Sequence, residues 1–213
     1  MLLTRLRKDT AGATMVEFAI VISLLLLVVG GLFDFTFAYW QWNMAIKAVE
    51  RGARIAAVSN PVASGLATMN TITTTAGQPY PAGSFDCVCN GATSSCTGAC
   101  GAYTAAAMNT IVYGRGNGAA CNRAAPNVYA IGMCNLDPSI SPAKVIVEYS
   151  ATGIGFQGQP CGPIPTITVQ LQNVQFGYFF LRGLMNLANA TFPPVKSTIT
   201  GEDLSFNFPN PNC

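Results

Sequence analysis

Gly12-Ala13-Thr14-Met15-Val16-Glu17-Phe18-Ala19-Ile20 opens a long apolar run, and Phe18 to Phe33 contains no ionisable residue. From Phe18 to Trp42 is 25 residues, which at about 1.5 Å per residue exceeds a hydrocarbon core of roughly 30 Å. A membrane-spanning helix is the direct reading. Its upstream edge carries one acid, Glu17, and its downstream edge carries Asp34 followed by Tyr39, Trp40 and Trp42. The aromatics fit an interfacial belt, and Asp34 is expected to snorkel toward the same headgroups. Glu17 has no such outlet in the pattern. A carboxylate at the edge of a span is costly, so it is a functional-site candidate.

Upstream of the span lies a basic leader. Residues 1–12 hold Arg5, Arg7 and Lys8 against Asp9 and so carry the whole net charge of +2 of the 213-residue chain. The remainder holds eight basic and eight acidic side chains. No basic patch is left to neutralise a phosphate backbone, which argues against nucleic acid as a partner. A cleaved secretory signal is a poor fit. Its apolar region runs about 7–15 residues and ends at small residues, whereas this one is longer and ends in aromatics.

Past the span the helix continues. Ala45, Ala48, Val49, Gly52, Ala53 and Ala56 form one stripe at i, i+3, i+4 spacing, Glu50 and Arg54 lie one turn apart, and Asn60-Pro61 ends the pattern. The stripe suits packing on a head domain or close contact between helices. Gly30-Gly31 is a point where the helix can soften.

All eight cysteines follow the span: Cys87, Cys89, Cys96, Cys100, Cys121, Cys134, Cys161 and Cys213. An even number on one side of an anchor reads as disulfides in an oxidising compartment, with 105 possible pairings. Zinc is the weaker reading, because Cys87-Val88-Cys89 is an uncommon ligand spacing and the chain has no histidine. Residues 87–101 read as a Cys/Gly/Ser/Thr loop shaped by cross-links, with turns near Asn90-Gly91 and Gly98. Ala102–Tyr113 reads as a helix with Ala105, Met108, Ile111 and Val112 on one face. The glycines at 114, 116 and 118 follow no strand and lack the Lys-Ser/Thr pair of a phosphate loop.

Lys144–Tyr149 and Thr166–Gln172 alternate as strands with one apolar face, which predicts an antiparallel sheet. Phe176–Asn189 is apolar but too short to span, and reads as a short buried or interfacial helix. Lys196–Thr200 supplies a last strand. The fold class is therefore α+β: a long N-terminal transmembrane and amphipathic helix packed on a small antiparallel sheet head with disulfide-stapled loops. The expected divisions are a leader at 1–12, a transmembrane helix at 13–42, its extracytoplasmic continuation at 43–60 and a Cys-rich head at 61–213.

Catalysis finds little support. Without histidine the usual acid–base groups and triads are missing, and no catalytic residue, metal site or cofactor is expected.

The order of basic leader, Gly12-Ala13, Glu17-Phe18 and apolar helix resembles the type IV prepilin pattern. With Leu24–Leu27, Gly31-Leu32-Phe33-Asp34-Phe35, Ala45-Ile46-Lys47-Ala48 and Arg51-Gly52-Ala53-Arg54, it resembles the TadE-like family of pilin-like proteins from tight-adherence (Flp) systems. The resemblance covers about residues 10–58. It implies a type IV pilin-like fold, a processing site at Gly12 and Ala13, and assembly through Glu17 and Phe18. The implied partners are a prepilin peptidase, other pilin subunits, the pilus assembly platform and the membrane. It further implies a bacterial inner-membrane location, single-pass with an extracytoplasmic head, and a place in the pilus after assembly. The cysteine-rich stretch 87–134 departs from the family pattern. The alternative is an unprocessed, single-pass anchored binding module with a disulfide-stabilised periplasmic head.

Overall fold

A computed structural model describes residues 10–66, 77–98, 100–122, 130–152, 155–157, 163–185, 190–191 and 193–201. The basic side chains of the leader, Cys161, Cys213 and the run Met69–Thr75 lie outside the described residues.

Helix α1 runs from Thr10 to Ala57 without a break at Gly30-Gly31. The chain divides into two compact units. One comprises residues 1–40 with 175–190, the other residues 41–174 with 191–213.

In the second unit, five strands form one sheet in the order β2-β1-β3-β6-β9, every pairing antiparallel. The strands are β1 (Asp86–Asn90), β2 (Ser95–Thr97), β3 (Val145–Ser150), β6 (Thr166–Leu171) and β9 (Val195–Thr200). Between β3 and β6 lie two short paired strands, β4 (Phe156–Gln157) and β5 (Pro163–Ile164). The alternation of the sequence decides which face is covered. Val145, Val147 and Tyr149 of β3 stand opposite Leu171, Val169 and Ile167 of β6, and all six are fully buried. On the other face Thr168 and Thr198 join hydroxyl to hydroxyl across the strands at 2.9 Å, a pairing suited to a solvated surface. The outer strand β9 exposes Lys196, a charge that discourages further strand addition at that edge.

The cysteine-rich stretch corrects the sequence expectation. It is no coreless loop. Residues 86–97 form the hairpin β1–β2, and β1 lies inside the sheet with Cys87 beside Tyr149 and Cys89 beside Val147. The period-two placement of Cys87 and Cys89 puts both thiols on the buried face, where cysteine packs as a small hydrophobe. Cys89 bonds to Cys96, its direct partner across the hairpin, with Cα atoms 4.0 Å apart. Cys87 bonds to Cys100 and thereby holds the segment after β2. That segment pairs in turn with residues 62–66 through Ser64 N–H to Ala102 O, Gly65 N–H to Cys100 O and Thr104 N–H to Val62 O.

Helix α2 (Ala105–Tyr113) buries Ala107, Met108, Ile111 and Val112, while Ala105 faces outward. The four-residue helix α3 (Met133–Leu136) follows, and Cys134 is bonded back to Cys121. On α1 the small stripe is the buried face: Ala45, Ala48, Val49, Ala53 and Ala56 are 0–1% exposed. Gly52 sits within it because a side chain there would meet the Met133 sulfur at 2.6 Å. The stripe therefore packs within the head. Arg51 donates from Nε to Ile131 O at 3.1 Å, and Arg115 donates to Val58 O just past the helix end. A cation at that end also complements the helix dipole.

The first unit joins the apolar half of α1 to the short strand β7 (Gln175–Phe176) and helix α4 (Phe180–Met185). β7 pairs with β8 (Ala190–Thr191).

Candidate functional site

The first turns of α1 carry the residues that the sequence singles out. Thr10 is the first described residue of α1, and the Gly12–Ala13 bond lies within the helix. Gly12 has open space around it, and Ala13, Glu17 and Phe18 are all exposed, Phe18 at 67%. Residues 12–29 expose every side chain on every face. A helix apolar all round and uncovered requires an apolar environment or other helices. It is the one described helix long and apolar enough to cross a membrane, with a mean hydropathy of 2.6 over its best window.

Polar groups along this stretch are largely satisfied from within. Ser23 donates to Ala19 O at 2.7 Å and Thr36 to Leu32 O at 2.8 Å, each one turn back, so neither hydroxyl needs water. Asp34 is the larger surprise. It does not snorkel. Its side chain is 1% exposed, and its two oxygens accept the N–H groups of Phe179 at 2.9 Å, Phe180 at 3.0 Å and Leu181 at 2.7 Å. These amides open α4 and would otherwise lack partners, so Asp34 caps a helix 145 residues away in sequence. Nothing local in the sequence marks that pairing. The only hint is a charge one turn beyond Gly30, and Gly30 turns out to be a seat for the Phe180 ring, 3.2 Å from where a Cβ would lie.

Glu17 differs from Asp34. Among the described residues it makes no hydrogen bond and no ion pair, and its carboxylate is exposed on the outside of the helix. Of these two acids, Asp34 is satisfied by the fold and Glu17 has no partner among the described residues.

The six described cysteines form three disulfides, Cys87–Cys100, Cys89–Cys96 and Cys121–Cys134, and none of the six is free. Among the described residues no group of three or more His, Cys, Asp or Glu side chains is arranged to hold a metal ion.

Asp34 and Glu17 both fall inside one recognisable sequence unit. Residues 12–54 match the family model described as TadE-like protein. This segment is similar to the TadE-like family. The match begins at Gly12 and ends at Arg54, so it takes in Glu17, Phe18, Asp34 and most of the small stripe on α1. The sheet and its disulfides lie beyond it. No curated protein and no solved structure matches the chain. The matched segment contains the exposed apolar half of α1 and most of the small stripe that packs within the head.

Proposed function

We propose that this protein is a minor pilin or pilin-like assembly subunit of a tight-adherence (Flp) type IV pilus system. A prepilin peptidase cuts the chain after Gly12, and the subunit assembles through its N-terminal helix. Before assembly it is held in the bacterial inner membrane by α1, with the disulfide-stapled head outside the cytoplasm. The observation that carries this reading is the contrast between the two acids of the apolar stretch. Asp34 receives three N–H groups within the molecule, whereas Glu17 has no described partner.

Cutting after Gly12 makes Ala13 the first residue, with a cationic α-amino group one helical turn from Glu17. In a helical polymer the amine of one subunit lies within reach of the carboxylate of another. An unpaired charge in an apolar environment is strongly penalised, so subunits pack in the register that brings the two together. Phe18 adds an exposed aromatic ring beside the acid.

The test is Glu17→Ala in cells that carry the peptidase and the assembly platform. The expected outcome is normal removal of residues 1–12 with loss of incorporation into filaments. Normal incorporation would remove the role given to the carboxylate.

A further inference from the structure

Residues 175–185, which lie between β6 and β9 in sequence, belong to the same compact unit as the apolar half of α1. Three observations within that unit bear on what surrounds them. First, the opening amides of α4 are satisfied by the Asp34 carboxylate, so neither the acid nor these N–H groups depends on water. Second, the aromatic side chains stay uncovered: Phe179 is 72% exposed and Phe180 48%, although Phe180 also packs edge-on against Phe33 with centroids 5.9 Å apart. Third, a groove of about 600 Å³ runs beside them, lined by Leu26, Leu27, Val29, Gly30, Phe33 and Phe180 among others, and nearly all of its surface is apolar.

An aqueous surface would favour covered rings. Satisfied backbone with exposed apolar side chains is what hydrocarbon demands. The exposed surface of Phe179 and Phe180 is also continuous with that of α1, where Leu32, Phe33 and Phe35 are 56–72% exposed.

We propose that Tyr178–Met185 is a second membrane-inserted element, a short re-entrant segment that Asp34 holds against the spanning helix. Its surroundings are the acyl chains of the bilayer. This rests on the reading of α1 as a membrane span. With Tyr39 and Trp40 at the interface, Asp34 lies about 8 Å inward along the helix at 1.5 Å per residue. The rings of Phe179 and Phe180 therefore enter the outer part of the hydrocarbon, and the groove beside Gly30 accepts an acyl chain. Arg182 is exposed on α4, one residue past Leu181, and is long enough to reach a headgroup phosphate.

The experiment uses the full chain reconstituted in vesicles, with Trp40 and Trp42 replaced by Phe and Phe179→Trp as the probe. Brominated acyl chains and aqueous iodide serve as competing quenchers. The inference expects blue-shifted emission that brominated lipid quenches and iodide does not. Adding Asp34→Ala, which removes the acceptor oxygens, should release the segment, with loss of the lipid quenching and gain of iodide quenching. Quenching by iodide in the parent probe overturns the inference. Quenching by neither reagent means a protein surface covers the ring, and overturns it too. Unchanged lipid quenching in the Asp34→Ala variant overturns the tether. A Leu25→Trp probe in the same background separates the two levels: lipid quenching at 25 with none at 179 defeats the re-entrant segment alone, whereas none at either position defeats the span itself.

Discussion

Tyr149→Phe removes one oxygen from the centre of the head. Tyr149 lies on β3 between Cys87 of β1 and Ile167 of β6, is fully buried, and its hydroxyl accepts the Val62 N–H at 2.9 Å. Val62 is itself fully buried and belongs to the turn region just after α1, so this bond ties the end of the helix to the middle of the sheet. The substitution keeps the ring and its packing and leaves the amide without a partner. An orphaned buried donor costs about 1–3 kcal/mol. At RT of about 0.59 kcal/mol that multiplies the unfolded-to-folded ratio by roughly 5 to 150. Denaturant unfolding of the full chain in detergent, with disulfides intact, should show a lower midpoint at unchanged slope. Hydrogen exchange at the Val62 amide should accelerate beyond its neighbours. A change within about 0.5 kcal/mol, the range of ordinary surface substitutions, would refute the argument, because water or a shifted acceptor would then be satisfying the amide.

Other outcomes follow from the same geometry. Gly52→Leu should destabilise the head by about 1–3 kcal/mol through overpacking against Met133, and Met133→Ala should recover part of the loss in a double-mutant cycle of thermal melts. Replacing Cys87 and Cys100 by Ser opens a cross-link between residues 13 apart and should cost about 3 kcal/mol, read as a lower unfolding midpoint than that of the oxidised parent. Burial pushes the Tyr80 phenol up to about 12 and moves those of Tyr103 and Tyr149 in the same direction. The unfolded chain loses these protons near pH 10 while the folded chain keeps them, so stability is full below about pH 10 and declines as pH rises through 12. Tyr80→Phe should flatten that decline in denaturant titrations at pH 9 to 12, and an unchanged slope would rule out Tyr80 as a contributor.

The elements legible in the sequence were those whose signal is local. The apolar run, the stripe from Ala45 to Ala56 and the alternation of Val145, Val147 and Tyr149 each announce a period, and the structure follows them. The hairpin at 86–97 was missed because cysteine, glycine and serine obscure its alternation, although Cys87 and Cys89 sit two apart as strand neighbours on one face must. Asp34 was misread for a different reason. Its partners are backbone amides of Phe179, Phe180 and Leu181, and backbone has no sequence signature, so a long-range cap cannot be seen until the chain is folded. Glu17 stood out because charge in an apolar run is itself the signal.

The proposed assembly depends on Ala13 carrying a free amine when subunits meet. Intact-mass analysis of the protein purified from cells that build these pili measures this directly. The expected species begins at Ala13 and lacks residues 1–12. Protein drawn from the filaments with Met1 still in place would contradict the account, since no cation would then lie one turn from Glu17 for a neighbouring subunit to meet.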